Sequence, residues 1–387
     1  MQYRRFGRSD FRVSALSFGA MRLPNLGEPA QIDEPEAIRM IRHAIDNGVN
    51  YLDTAYMYHG GNSERVVGKA LKDGYRERIR LATKLPLGQV SDAADFDRIF
   101  DDQLAKLDVG QIDYYLLHGA RRASWDRMRD LGIIAWAERQ MAAGRIGALG
   151  FSCHDDNAGF RHVVDGYDNW ALAQVQYNFM DVENQAGTDG VKYAASKGLA
   201  VVVMEPLLGG KLAAPPHYLQ AIYDGAPAKR TPVDWALQWV WDQPEVSTVL
   251  SGMSTFGQVV ENLASAERSE IGSLMAEEHA IIARVRDAYN AVSPIPCTQC
   301  RYCMPCPNGV DIPANLHYLS RAVVYNQWPQ MRMRYGQLSP DARAVQCVQC
   351  RECEDKCPQS IRIADWLPRI HRVLGENADY DPTLAPR

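Results

Sequence analysis

Between residues 14 and 251 eight short apolar runs alternate with seven amphipathic segments, and this alternation restricts the possible folds more than any other feature of the chain. The strand-like runs span 14–19, 49–53, 79–84, 112–118, 146–152, 171–176, 199–204 and 246–251. Between them, apolar residues recur at helical spacing around 38–45, 64–71, 96–107, 125–142, 160–164, 191–195 and 232–241. Asp33-Glu34-Pro35-Glu36 supplies a cap, an early proline and an acid for the first helix, and Asn47-Gly48 stops it. Asn62 or Ser63 caps the second, and Gly144 ends the long one. Eight strand-then-helix units in roughly 250 residues are what a closed (β/α)8 barrel requires. An open doubly wound sheet is the competing α/β architecture, but no G-x-G-x-x-G follows the first strand.

The two ends of the chain break this pattern. Residues 2–6 and 10–13, around Gly7-Arg8-Ser9, suit a hairpin. Past a helix-like stretch near 281–292, Ser293-Pro294-Ile295-Pro296 reads as a short stiff linker. The expected division is a barrel over residues 1–292, a small, mainly α-helical, cysteine-rich domain over 293–375, and a polar tail over 376–387. Leu316, Leu319 and Val323 predict a helix in the small domain, ended by Trp328-Pro329. With 46% hydrophobic and 23% charged residues, the chain has the composition of an ordinary globular protein. A net charge of −5 and the lack of a Lys/Arg-rich run argue against nucleic acid as a partner. No run has the apolar length of a membrane span and the N-terminus has no export signal, so a cytoplasmic protein is expected.

Polar residues at the C-terminal ends of barrel strands converge on one mouth. Asp53, Lys84 and His118 end the second, third and fourth strands, and Tyr58 lies on the loop after the second. A phenol with a pKa of about 10 is a poor proton donor at neutral pH unless a cation stabilises its phenolate. Lys84 supplies that cation, Asp53 holds the ammonium in place and charged, and His118 can orient a substrate oxygen. The set suits protonation of a developing alkoxide. Each residue also has a plainer reading, with Asp53 and Lys84 as a structural salt bridge and Tyr58 and His118 packing independently. By residue type alone, Tyr56 competes with Tyr58, and Asp113 and Tyr114 can be argued in the same way.

Residues 1 to about 270 resemble the aldo-keto reductases. The matching pieces are Asp53-Thr54-Ala55-x-x-Tyr58, Lys84 in Ala82-Thr83-Lys84, and His118 in Leu116-Leu117-His118. The resemblance implies that Tyr58 is the general acid, that Lys84 and Asp53 tune it, and that His118 orients the carbonyl of a small-molecule substrate. It also implies a nicotinamide cofactor, NADP with NAD possible, whose carboxamide is held by Ser152 and Gln174. Gly19, Ala20, Met21 and Asp53 would line the same cofactor, as would Met204, Pro206, Leu207 and Gly209. The run Gly252-Met253-Ser254-x-x-x-Gln258-x-x-Glu261-Asn262 resembles the segment that grips the adenosine end; by residue type alone it is a surface helix capped by Ser254. Ser254 and Gln258 offer no cation for a 2′-phosphate. Two positions depart from the family pattern. Cys153, followed by His154, stands where many members have Asn, and Met204 stands where many stack an aromatic ring on the nicotinamide. Cys153 is expected to be inert packing.

Eight of the nine cysteines lie beyond Pro296. Cys297-x-x-Cys300-x-x-Cys303-x-x-Cys306-Pro307 and Cys347-x-x-Cys350-x-x-Cys353-x-x-x-Cys357-Pro358 closely follow the bacterial ferredoxin pattern. That resemblance implies two 4Fe-4S clusters, one on Cys297, Cys300, Cys303 and Cys357, the other on Cys347, Cys350, Cys353 and Cys306. The first run is one residue short before Cys306. Structural zinc is the alternative, but zinc knuckles usually pair two C-x-x-C pieces across a longer gap.

The expectation is therefore an NAD(P)H-dependent reductase of a carbonyl, or oxidant of an alcohol, with a two-cluster ferredoxin-like domain. Nicotinamide moves two electrons as hydride and each cluster moves one, and no flavin motif is present to split the pair. The clusters then serve the fold, sense redox state or meet a redox partner protein. A nucleotide-binding redox sensor or electron-transfer module with little carbonyl turnover is the alternative.

Overall fold

Each apolar run is joined to the next by a helix that returns the chain to its starting edge, so neighbouring runs pair in parallel. The computed structural model describes residues 1–384 apart from 29, 298, 300 and 358, with only the backbone at 217 and 218. An antiparallel hairpin of β1 (Tyr3–Phe6) and β2 (Ser9–Ser14) comes first. The barrel strands follow as β3 (Leu16–Gly19), β4 (Tyr51–Asp53), β5 (Arg80–Pro86), β6 (Ile112–Ala120), β7 (Ile146–Cys153), β8 (Leu172–Gln176), β9 (Ala200–Met204) and β10 (Val246–Ser251). They run in sequence order around a closed parallel barrel, with β10 pairing β3 to complete it. No helix among the described residues is long and apolar enough to cross a membrane.

By its contacts the chain divides into two compact units, one of Met1–Pro215 with Ala226–His279, the other of Pro216–Gly225 with Ala280–Arg387. In the first, α1 (Glu34–Asp46) starts at Asp33, whose carboxylate accepts from the Glu36 N–H at 3.3 Å. Neither Asn62 nor Ser63 caps α2 (Ser63–Ala70), because the Ser63 hydroxyl donates instead to the Ala20 carbonyl at 3.0 Å. After α3 (Ala94–Leu107), the stretch read as one long helix is two, α4 (Arg122–Asp130) and α5 (Ile133–Ala142). The break falls at Gly132, whose φ of +86° is left-handed. Then come α6 (Asn157–Val164) and α7 (Gly187–Ser196). Between β9 and the next barrel helix, the region 207–230 holds a 3-10 stretch at Leu208–Ala213 and α8 (His217–Asp224), the latter in the second unit. The helices α9 (Pro232–Trp241) and α10 (Phe256–Ala266) start on hydroxyl caps from Thr231 and Thr255.

Side chains alternate across each strand, and the barrel accordingly has two apolar layers. Outward residues such as Leu52, Leu81, Tyr115, Leu117 and Val203 pack under the helices. Inward residues Tyr51, Ala82, Tyr114, Leu116, Leu172, Ala200 and Val202 fill the lumen, and Phe6 of the hairpin closes its lower end with its ring 4.8 Å from Tyr114.

The second unit has its own core, where Leu316, Leu319, Met331, Tyr335, Trp366 and Leu367 meet. Following α11 (Ala276–Ala291), α12 (Ile312–Val324) starts on the Asp311 cap. Trp328-Pro329 does not end that helix; it opens α13 (Trp328–Gln337), where a proline in the first turn costs no hydrogen bond. The chain continues through α14 (Glu352–Asp355) and α15 (Ile363–Ile370). The tail is tied back, with the Tyr380 ring 5.6 Å from Trp328 and the Ala378 carbonyl accepting from Arg332 at 3.1 Å.

Candidate active site and cluster sites

The same two-residue period that fills the lumen sets the residues at its mouth. One step beyond the inward residues Tyr51, Ala82, Leu116, Leu172 and Val202 come Asp53, Lys84, His118, Gln174 and Met204. The register steps by two residues from strand to strand, with Asp53 opposite Ala82, Lys84 opposite Leu116 and His118 opposite Pro86, while Ser152 lies opposite Gln174.

Lys84 is the centre of the group. Its Nζ donates to Asp53 Oδ1 at 2.5 Å, to the Thr54 carbonyl at 2.8 Å and to the Tyr58 hydroxyl at 3.3 Å. Burial works against its charge, but Asp53 and then Tyr58 outweigh it and hold the lysine above its usual range. Burial raises the Asp53 carboxyl against the pull of Lys84. Tyr58 is raised by burial as well, with Lys84 drawing it down and Asp53 pushing it up, so the phenol keeps its proton at neutral pH. The His118 ring stands edge-on to Tyr58, with centroids 5.8 Å apart. Burial, then the charges of Lys84 and His154, lower its pKa to about 3, so it is a neutral imidazole at pH 7.

The competing residues are elsewhere. Tyr56 lies under the Lys106 ammonium, 3.9 Å from its ring, and pairs with Asp102. Asp113 is held by Arg76 at 2.7 Å and Arg80 at 3.0 Å, and Tyr114 packs on Phe6 at the other end of the barrel. Two supports had no signal in the sequence. The Thr54 carbonyl acts through its main chain, which residue type does not reveal. Buried Glu64 accepts from Thr83 at 2.6 Å and Gln103 at 2.7 Å, and Gln103 also donates to the Lys84 carbonyl at 3.1 Å, which fixes the strand behind the lysine.

Next to this group, the Ser152 hydroxyl accepts from the Gly119 N–H at 2.9 Å. Gln174 Nε2 faces the Met204 sulfur at 3.9 Å, and its Oε1 is buried and has no hydrogen-bond partner among the described residues. An acceptor left open in this way fits an amide N–H from a bound group. Cys153 is buried, which pushes its thiol up to about 12 and leaves it inert, and His154 Nδ1 lies 3.1 Å from Gln185 Oε1.

Because β10 pairs with both β3 and β9, the segments leaving these strands are neighbours. They carry Gly19, buried Ala20 and exposed Met21; buried Pro206, half-buried Leu207 and exposed Gly209; and Gly252 to Asn262. Ser254 is not the helix cap. Thr255 is, accepting from the Gln258 N–H at 3.3 Å, while Ser254 donates to the Arg22 carbonyl at 2.9 Å. The Gln258 side chain accepts from the Ser254 N–H at 2.8 Å, Glu261 is exposed, and Asn262 donates to Ser251 at 3.0 Å.

In the second unit, both cysteine runs turn in the same way. Gln299 and Arg301 in the first run, and Gln349 and Arg351 in the second, all have left-handed φ between 57° and 66°. Two cavities result. One is lined by Cys306 together with Cys347, Cys350 and Cys353, the other by Cys297 and Cys357, and Cys303 borders both. Cys300 lies outside the described residues. Among the described residues no three His, Cys, Asp or Glu side chains close on a single metal-ion position, as tetrahedral zinc requires. Thiols spread around a cavity fit a group with several irons instead.

The aldo/keto reductase family model matches residues 15–287, and a 4Fe-4S dicluster domain model matches residues 296–361. The chain is 28% identical over 289 residues to the L-galactose dehydrogenase of Arabidopsis thaliana, covering 70% of this chain and 89% of that one. It is 30% identical over 229 residues to a 6-dehydroglucose reductase of Novosphingobium aromaticivorans, covering 55% and 71% respectively. An aldo/keto reductase from Klebsiella pneumoniae, solved in complex with NADP and acetate, superposes with a TM-score of 0.59 at 26% identity, covering 73% of this chain and 95% of that one. The barrel, its mouth and the matched range agree: this chain belongs to the aldo/keto reductase family and carries a C-terminal 4Fe-4S dicluster domain of ferredoxin type.

Proposed function

We propose that this oxidoreductase reduces a small carbonyl compound, or oxidises the corresponding alcohol, with NADP(H) as cofactor and Tyr58 as the proton donor. NADP is favoured over NAD by the Klebsiella neighbour, whose structure holds it. The names of the two relatives suggest a sugar or sugar-derived substrate. The observation that carries the reading is the single ammonium of Lys84 bonded at once to Asp53, the Thr54 carbonyl and the Tyr58 hydroxyl.

Bound nicotinamide supplies or takes up hydride. Tyr58 gives its proton to the oxygen that becomes the alcohol, and the Lys84 ammonium 3.3 Å away stabilises the phenolate left behind. Asp53 keeps that ammonium charged inside the barrel. His118 is neutral at pH 7, so it orients the carbonyl by hydrogen bonding and leaves the proton to Tyr58. Ser152 and the open Oε1 of Gln174 hold the carboxamide, and the segments around Gly209 and Gly252 take the rest of the nucleotide.

Two 4Fe-4S clusters complete the reading, one on Cys297, Cys300, Cys303 and Cys357, the other on Cys306, Cys347, Cys350 and Cys353. They carry single electrons to a partner protein or brace the small unit. The test of the catalytic assignment is Tyr58→Phe, assayed on a panel of aldoses, ketoses and simple aldehydes. Turnover should fall by about 10²- to 10⁴-fold while nucleotide binding is unchanged. Retained turnover sinks the assignment.

A further inference from the structure

The residues named above for the nucleotide include no cation, although a dinucleotide brings a diphosphate and, in NADP, a third phosphate. Arg22 fills that gap from an unexpected place. It ends the 3-10 turn Ala20–Arg22 after β3, and its carbonyl is anchored by the Ser254 hydroxyl at 2.9 Å. From there its side chain runs across the mouth. A Cβ built on Gly252 would lie 3.3–3.4 Å from the Cβ, Cγ and Cδ of Arg22, so the stem rests on bare backbone. One built on Gly209 would lie 3.7 Å from its Nη2. The guanidinium therefore hangs between the Gly209-Gly210 turn, where φ is +69° and +95°, and the segment that leads into α10. It is exposed, and among the described residues it makes no ion pair or hydrogen bond.

An arginine whose stem is immobilised on glycine has already lost much of its conformational freedom, and its planar fork suits two phosphate oxygens at once. The start of α10 adds positive potential on the same side. We propose that Arg22 is a specificity-determining residue that clamps a phosphate of the dinucleotide across Gly209 and Gly252. This inference rests on the nicotinamide reading given above and adds to it the charge that Ser254 and Gln258 lack.

The test is NADH and NADPH binding to the full chain, by fluorescence titration, for the wild type, Arg22→Gln and Arg22→Lys. Arg22→Gln should weaken binding by about tenfold or more, as for loss of a hydrogen bond to a charged group. Arg22→Lys, which keeps the charge but not the fork, should fall between. The melting temperature of the nucleotide-free protein should not change, because the guanidinium has no ion-pair or hydrogen-bond partner among the described residues to lose. Equal loss for the two nucleotides puts Arg22 on the diphosphate, and loss for NADPH alone puts it on the 2′-phosphate. If the wild type binds and Arg22→Gln binds both nucleotides as tightly, the proposal is overturned. A wild type that binds neither overturns the nicotinamide reading and this inference with it.

Discussion

Breaking the Lys84–Asp53 pair should cost stability that removing both charges largely gives back. The residues are 0% and 2% exposed and their charged atoms are 2.5 Å apart. The other oxygen of Asp53 has no hydrogen-bond partner among the described residues, so Lys84→Met leaves the carboxylate without a donor. Removing one member of a buried pair typically costs about 3–5 kcal/mol. Asp53→Asn should fall at the low end, because the ammonium keeps the Thr54 carbonyl and Tyr58. The double variant Asp53→Asn/Lys84→Met should recover at least about 2 kcal/mol relative to the sum of the singles. A pH arm follows from the sign of the shift. Burial already raises Asp53 against the pull of Lys84. Without the lysine, the native carboxyl holds its proton to a higher pH than the unfolded chain does. The native state then binds more protons, and Lys84→Met should gain stability relative to wild type as the pH falls from 7 toward 5. Urea unfolding followed by tryptophan fluorescence reads the barrel, which holds six of the eight tryptophans. Single variants within 1 kcal/mol of wild type, or costs that add within about 0.5 kcal/mol, would refute the buried pair.

Three further outcomes are expected. His118, lowered to about 3 by burial and then by Lys84 and His154, should show no titration between pH 5 and 8 in imidazole NMR spectra. Because the unfolded chain takes up that proton first, its contribution to stability should be lost as the pH falls from about 6.5 toward 3, by a few kcal/mol in all; a native midpoint near 6.5 counts against the buried neutral ring. Cys306→Ser and Cys357→Ser should each remove about half the iron of anaerobically prepared protein and leave different EPR signals, because they border different cavities; loss of all the iron or of none in both variants contradicts the pairing. Gly132→Ala should cost about 1 kcal/mol, roughly 2–4 °C in melting temperature. A Cβ there meets no atom within 4 Å, so the left-handed backbone alone is tested, and an unchanged melting temperature refutes it.

The barrel strands are legible in the sequence because parallel strands buried on both faces must be apolar throughout, and little else in a chain of this composition is. Helix breaks and caps are less so. The apolar spacing continues through Gly132 whether or not the backbone turns left-handed there, and Ser254 and Thr255 are equally good cap formers until the start of the helix is known. Trp328-Pro329 shows the same ambiguity, because proline suits the first turn of a helix as well as the residue after its end.

At the mouth, Asp53, Lys84 and His118 stand out as polar residues ending apolar runs. Tyr58 does not stand out from Tyr56 by chemistry; the fold separates them by sending Tyr56 to Asp102 and Lys106 on α3 and Tyr58 to Lys84. Residue spacing alone determined that this chain builds a strand–helix barrel and two runs of thiol ligands, because periodicity and ligand intervals are local properties. Tertiary structure decided which cysteines share a cavity, which phenol meets the lysine, and that Arg22 lies across Gly252 toward Gly209. Those are contacts between segments far apart in the chain, and no local pattern encodes them.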